Sequence, residues 1–183
     1  MKSYNISNSI TSMLLVCLLA FTACRKEIDT TYNLNITSTH EIAANANPLE
    51  GELSKSIANT SIQTMSKQQG FSIDKIKSAH VKSAEVVIDD NPIGQGFESF
   101  DWLEVWIKDE TTNTCTKVAT KTNSWASGTK SIKLELTNEE VSTLIRKENV
   151  YIILKGKSNQ TIAQPIHASI KLGVEFDAIL FNK

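Results

Sequence analysis

Few side chains in this 183-residue sequence are of the types that perform chemistry, and their spacing limits what they can do. Cysteine occurs three times, at Cys17, Cys24 and Cys115, and histidine three times, at His40, His80 and His167. A structural zinc site needs thiolates or imidazoles at short, regular spacing, and these histidines are scattered. Cys115 lies in Asn113-Thr114-Cys115-Thr116-Lys117, which reads as the start of an edge-like strand. No nucleophile elbow or nearby base accompanies it, so a nucleophile–base pair with a histidine is not expected. Gly94-Gln95-Gly96-Phe97 has two glycines but neither a strand-to-helix setting nor a following Lys-Ser/Thr, and reads as a loop rather than a phosphate cradle. The residues therefore predict no catalytic group, no metal site and no cofactor.

One constellation could bind. Trp102, Glu104 and Trp106 alternate with Leu103, Val105 and Ile107, so the indoles share one face of a strand with a carboxylate between them. If the aliphatic face is core, two flat aromatics and a hydrogen-bonding group face outward, as a sugar platform requires. The competing expectation is that the long helix, or a loop, covers these indoles and completes a second small core, because an amphipathic helix needs a surface to pack on. That covered arrangement is the one expected. Trp125, in the turn-rich stretch Asn123 to Gly128, reads as a third aromatic contact or as a plug at the sandwich rim, and the plug is the one expected.

The N-terminus has a different logic. Met1 to Ser12 is mostly polar with one charge, Lys2, and Met13 to Phe21 (MLLVCLLAF) is uninterruptedly apolar. Small residues Thr22 and Ala23 follow, and then Cys24. These are the three parts of a signal peptide over residues 1–23. The apolar run of about nine residues is roughly half of what a membrane-spanning helix needs. Phe21-Thr22-Ala23-Cys24 resembles a lipobox, the apolar-x-small-Cys signal of bacterial lipoproteins, with Phe21 in place of the usual Leu. The resemblance implies that Cys24 receives a diacylglycerol and a further acyl chain such as palmitate, so that membrane lipid is the first partner. Two or more chains hold firmly where one holds marginally. Cys17 leaves with the signal and Cys24 is consumed, so Cys115 has no partner for an internal disulfide.

Arg25 follows the lipidated position where the inner-membrane retention signal of enterobacterial lipoproteins would carry Asp. Lys26-Glu27 resembles half of the Lys-plus-acidic motif associated with surface display in Bacteroidota lipoproteins, Ile28 standing where a second acid is expected. The resemblance implies the outer membrane, with its outward or periplasmic face left open. Formal net charge is −1, with no basic stripe, which argues against nucleic acid as a partner. Three prolines and seven glycines are too few for a disordered or repetitive chain. Residues 24–31 read as a charged tether and 32–183 as one domain, long enough to bury roughly 70% of its surface.

The elements that must position these residues are mostly strands. Tyr32 to Ile36 alternates. Asn47-Pro48-Leu49-Glu50 reads as a helix start, and Leu53, Ile57, Ala58, Ile62 and Met65 give an apolar stripe ending at Gly70. That pattern predicts an amphipathic helix of roughly 15 to 20 residues. A short helical turn is expected near Ile73 to Lys77, then strands over His80–Asp89, Asp101–Lys108, Cys115–Lys121, Ile132–Leu136 and Val150–Lys155. Thr137-Asn138-Glu139-Glu140 reads as a capping box opening a short helix with Val141, Leu144 and Ile145. From Ile166 to Leu180 alternation is unbroken, predicting one long strand, or two joined by a bulge at Gly173. Half-polar strands with short turns favour an antiparallel β-sandwich of about seven strands, with one amphipathic helix and a short second one.

After the tether, a strand, a helix and Ile76-Lys77-Ser78-Ala79-His80-Val81 lead into alternating strands. In this the chain resembles β-sandwich lipoproteins of the Bacteroidota cell envelope. The resemblance implies a non-catalytic binding module for a glycan, a lipid or a protein, or alternatively a structural or assembly component of a surface complex.

Overall fold

A computed structural model describes residues 27–181 except 92–93 and 123–124. The expected signal peptide, the lipobox with Cys24, and Arg25-Lys26 lie outside the described residues, as does Asn123 of the Trp125 loop.

The protein is a mainly β antiparallel sandwich, with nine strands among the described residues rather than seven. Strands β1 (Glu27–Ile42), β9 (Ile166–Phe181), β3 (Phe71–Asp90) and β6 (Ser131–Lys133) form one sheet in that spatial order. The other is ordered β2 (Glu50–Asn59), β8 (Asn149–Ser158), β4 (Phe100–Asp109), β5 (Thr114–Thr122) and β7 (Glu135–Leu136). Period-two alternation drives both layers, since the strands carry most of their aliphatic side chains on one face. Ile36, Ile170, Phe176, Leu103, Ile107, Ile152 and Leu154 are among the side chains that meet between the sheets. Each contributes roughly 1.5–3 kcal/mol by leaving water.

The long alternating segment is a single strand. β9 pairs with β1 from Ile42↔Ile166 to Glu27↔Phe181 without a register break. The irregularity near Gly173 lies on its other neighbour, where Val81 pairs with Val174 and Ser83 with Gly173, so the extra residue is Lys82 of β3. Residues 27–31, expected as part of a tether, are strand, since β1 begins at Glu27. Thr31 Oγ1 donates to Asp177 at 2.6 Å and Ser78 Oγ donates to the same carboxylate at 3.0 Å, stitching β1, β9 and β3. These two bonds hold the Asp177 carboxyl below its ordinary range.

The long helix is corrected. Residues 50–59 are strand β2, and helix α1 occupies only Ile62–Gln69. A β-bulge explains the misleading spacing. Register shifts between Glu52 and Ser54, so Leu53 and Ala58 both face inward although they are five positions apart, an odd offset. Ile57, read as part of the stripe, is 59% exposed. Asn47-Pro48 is loop, with Asn45 Oδ1 accepting from the Asn47 N–H at 3.1 Å. Gly70 does end the helix, at φ 77°, donating to the Ser66 carbonyl. The helical turn expected at 73–77 is also strand, the start of β3.

The second helix, α2 (Ser142–Ile145), starts later than the capping box implied. Asn138 adopts a left-handed backbone at φ 59°. Glu140 Oε1 accepts the N–H groups of Ser142 at 2.7 Å and Ala79 at 2.9 Å, tying the helix start to β3.

Both lateral edges are managed, as exposed strand edges invite aggregation. On one side β1 meets β2, where buried His40 is 2.8 Å from Ser38 Oγ and 3.2 Å from Ser54 Oγ. On the other, the chain passes from β6 in one sheet to β7 in the other through Leu134 alone.

Candidate ligand-binding face

Leu103, Val105 and Ile107 are fully buried between the sheets, so the pleat of β4 turns Trp102, Glu104 and Trp106 to the outer face of the five-stranded sheet. The expectation that a helix covers the indoles is overturned. Helix α1 is short and packs against β3, in the opposite sheet, and its one buried residue is Ile62. Trp102 and Trp106 remain half-buried and reachable from solvent.

Neighbouring strands supply what surrounds them. Across β4 the register places Trp102 beside Lys157 and Thr122, Glu104 beside Lys155 and Thr120, and Trp106 beside Ile153 and Lys117. The Trp106 indole N–H donates to Glu104 Oε2 at 2.9 Å. Lys117 Nζ donates to the other oxygen, Oε1, at 3.0 Å. Lys155 Nζ stands 4.1 Å from the Trp106 ring centroid and Lys117 Nζ 5.9 Å from it, both within cation–π range. Beneath this layer Ile153 is only 3% exposed although it lies on the outer face. Farther out, Lys55 pairs with Glu110 and lies 3.9 Å from the Tyr151 ring centroid, and Lys157 is 3.4 Å from Glu50. The hydrogen bond between Lys55 and Glu110 raises the lysine and lowers the carboxyl from their ordinary values.

This face combines flat apolar surface, a doubly held carboxylate and cationic heads that can swing aside. Such a surface can stack on a sugar ring or an aromatic group and hydrogen-bond its rim. The lysines were the part not read from the sequence. Each sits at an ordinary polar position of its own strand, and only strand order brings Lys117 and Lys155 to one indole.

The remaining candidates separate. Trp125 packs against buried Phe97, ring centroids 6.1 Å apart, as a rim plug would. In the glycine loop, Gly94 needs its positive φ of 73°, and Glu98 accepts from the N–H groups of Gly96 and Gly128 at 3.1 and 3.2 Å. His40 faces inward, His80 is 3.4 Å from Glu140, and His167 lies 4.0 Å from Glu41, so the fold brings no two imidazoles onto one partner. Burial lowers the His40 pKa to about 4. Cys115 is exposed, opposite Lys108. No helix of the described residues is long and apolar enough to cross a membrane.

No family model matches the chain, and no curated protein does. Among solved structures, a chain of the giant freshwater prawn Macrobrachium rosenbergii nodavirus semi-empty VLP is similar at a TM-score of 0.36 and 12% identity. The match covers 88% of this chain and 89% of that one. A structure of Desmodium yellow mottle tymovirus is similar at a TM-score of 0.28 and 12% identity, covering 88% and 87%. At such TM-scores nothing about this chain follows from either.

Proposed function

We propose that this chain is a lipid-anchored lipoprotein of the bacterial outer membrane whose sandwich is a non-catalytic binding module. Its ligand surface is the outer face of the five-stranded sheet, centred on Trp102, Glu104 and Trp106. The observation that carries this reading is the reachable indole pair with Glu104 held between Trp106 and Lys117. Two tryptophans left half-open on an outer sheet face offer large contact area at small ordering cost, since an indole has only two side-chain torsions to fix. Lys117 and the Trp106 indole fix Glu104 before a ligand arrives, which spares further entropy.

The anchor is supported by residue order alone: an apolar run too short to span, then small residues, then Cys24. Attachment through acyl chains leaves the sandwich free to meet ligands near the membrane surface. A glycan is the ligand class that suits stacked aromatics with flanking polar groups.

The reading is tested by a glycan array probed with the wild-type chain and with the Trp102→Ala/Trp106→Ala variant. Selective binding of a saccharide set by the wild type, at least tenfold weaker in the double variant at an unchanged fold, is the expected result. Binding that is the same in both proteins would remove this face from the ligand site.

A further inference from the structure

The opposite sheet carries a groove that the tryptophan face does not explain. It has a volume of about 570 Å³ and crosses the outer face of β1, β9 and β3 toward β6. Its floor is Gly173, in register with Asn35 on one side and Ser83 on the other. Gly173 interrupts a row of outward side chains on β9, running from His167 through Lys171 to Glu175 and Asp177. Its backbone is ordinary, so glycine serves space rather than conformation. A Cβ there would lie 2.5 Å from Ser83 Oγ, crowding the groove floor.

The charge of the walls is unlike that of the whole protein. Lys82, Lys133 and Lys171 line the groove with a single acid, Glu85, although the chain's formal net charge is −1. Register sets Glu85 between Lys171 and Lys133. Its Oε1 accepts from Ser131 Oγ at 2.5 Å, and Lys82 pairs with Glu175 at 3.3 Å. Among the described residues Lys133 and Lys171 have no ion-pair partner, so two cations remain for an incoming anion. Asn35 and Ser83 add neutral hydrogen-bonding groups along the floor.

We propose that this groove binds an acidic oligosaccharide, its carboxylates taken by Lys133 and Lys171 and its hydroxyls by Asn35 and Ser83. Three observations select that occupant. The groove spans four strands, roughly 14 Å at ordinary strand spacing, and so suits an elongated ligand. Its floor strand, β9, is paired on both sides, which leaves no backbone edge for an added peptide strand. A nucleic acid would need a wider basic field than two free lysines beside a glutamate. The site is independent of Trp102 and Trp106, which lie on the other sheet.

The test is a calorimetric titration of the full chain in detergent micelles with trigalacturonate, beside the neutral galactotriose. We expect trigalacturonate to bind at least tenfold more tightly than the neutral sugar, and more weakly as salt rises. In the Lys133→Gln/Lys171→Gln variant, whose changes are at exposed positions, affinity falls at least tenfold at an unchanged melting temperature. Trp106→Ala leaves it unaltered. Equal binding of the two sugars, undiminished binding by the lysine variant, loss in Trp106→Ala instead, or tighter binding of an oligonucleotide of equal charge would each overturn the proposal. No detectable binding of trigalacturonate would do so as well.

Discussion

Trp106 and Glu104, two residues apart on one strand face, are joined by a 2.9 Å hydrogen bond from the indole N–H to the carboxylate. The bond fixes the ring, and Lys155 then covers it at 4.1 Å. Half-burial of this kind sets an intermediate cost. Trp106→Ala is expected to lower stability by about 1–2 kcal/mol, below the 3–5 kcal/mol typical of a fully buried tryptophan. Urea denaturation measures it, and iodide should quench the tryptophan fluorescence in part. A cost above about 3 kcal/mol with negligible quenching would mean that the indole is core after all.

The two faces of β9 should behave oppositely. Ile170 and Val174 are buried, while Lys171 is exposed. Ile170→Asp or Val174→Asp places an unpaired charge in the core and should cost several kcal/mol. Lys171→Ser should be nearly silent in stability. Equal shifts in melting temperature for both kinds of change would contradict the face assignment.

That strand was legible in the sequence because nothing interrupts its period. β4 was legible for the same reason, and Leu103, Val105 and Ile107 are buried as their alternation implied. β5 and β8 read as strands although Val118-Ala119 and Ile152-Ile153-Leu154 are buried consecutively. β2 was not. Its bulge at Leu53 put Leu53 and Ala58 on the same face and imitated helical spacing, which displaced the long helix into the reading and with it the cover for the tryptophans. The start of β3 was lost similarly, since register shifts between Phe71 and Ile76 and again before Ser78 break its period. Of the candidate face, Trp102, Glu104 and Trp106 could be read along one strand. Lys117, Lys155 and Ile153 could not, because cross-strand neighbours depend on an order no local pattern encodes.

His40 should make stability depend on pH. Burial holds its folded pKa near 4, well under the 6.5 of an unfolded chain. Between those values the unfolded chain binds a proton that the folded one excludes, so stability is full above pH 6.5 and falls as pH drops toward 4. The loss is up to about 3 kcal/mol if the site stays closed. His40→Gln should flatten the slope of denaturation free energy between pH 6.5 and 4.5. An unchanged slope in that variant would assign the dependence elsewhere.

Gly156 on β8 faces inward where there is no room. A Cβ would lie 2.7 Å from Leu103 Cδ2 and 2.8 Å from both Leu53 Cδ1 and the Trp102 carbonyl oxygen. Because backbone is among these neighbours, relaxation is limited, and Gly156→Ala should destabilise by about 1–3 kcal/mol. A variant as stable as wild type in a thermal melt would show that β2, β8 and β4 leave more room there than these distances imply.

The central claim is that the sandwich is held at a membrane by lipid on Cys24, and metabolic labelling of the producing bacterium with palmitate measures this most directly. Wild-type protein should carry label and sediment with the outer-membrane fraction. Cys24→Ala should carry none, leave that fraction, and run at altered gel mobility, because diacylglycerol transfer and cleavage before the cysteine both require its thiol. Label-free wild-type protein, or a Cys24→Ala variant retained in the membrane at unaltered mobility, would contradict the account.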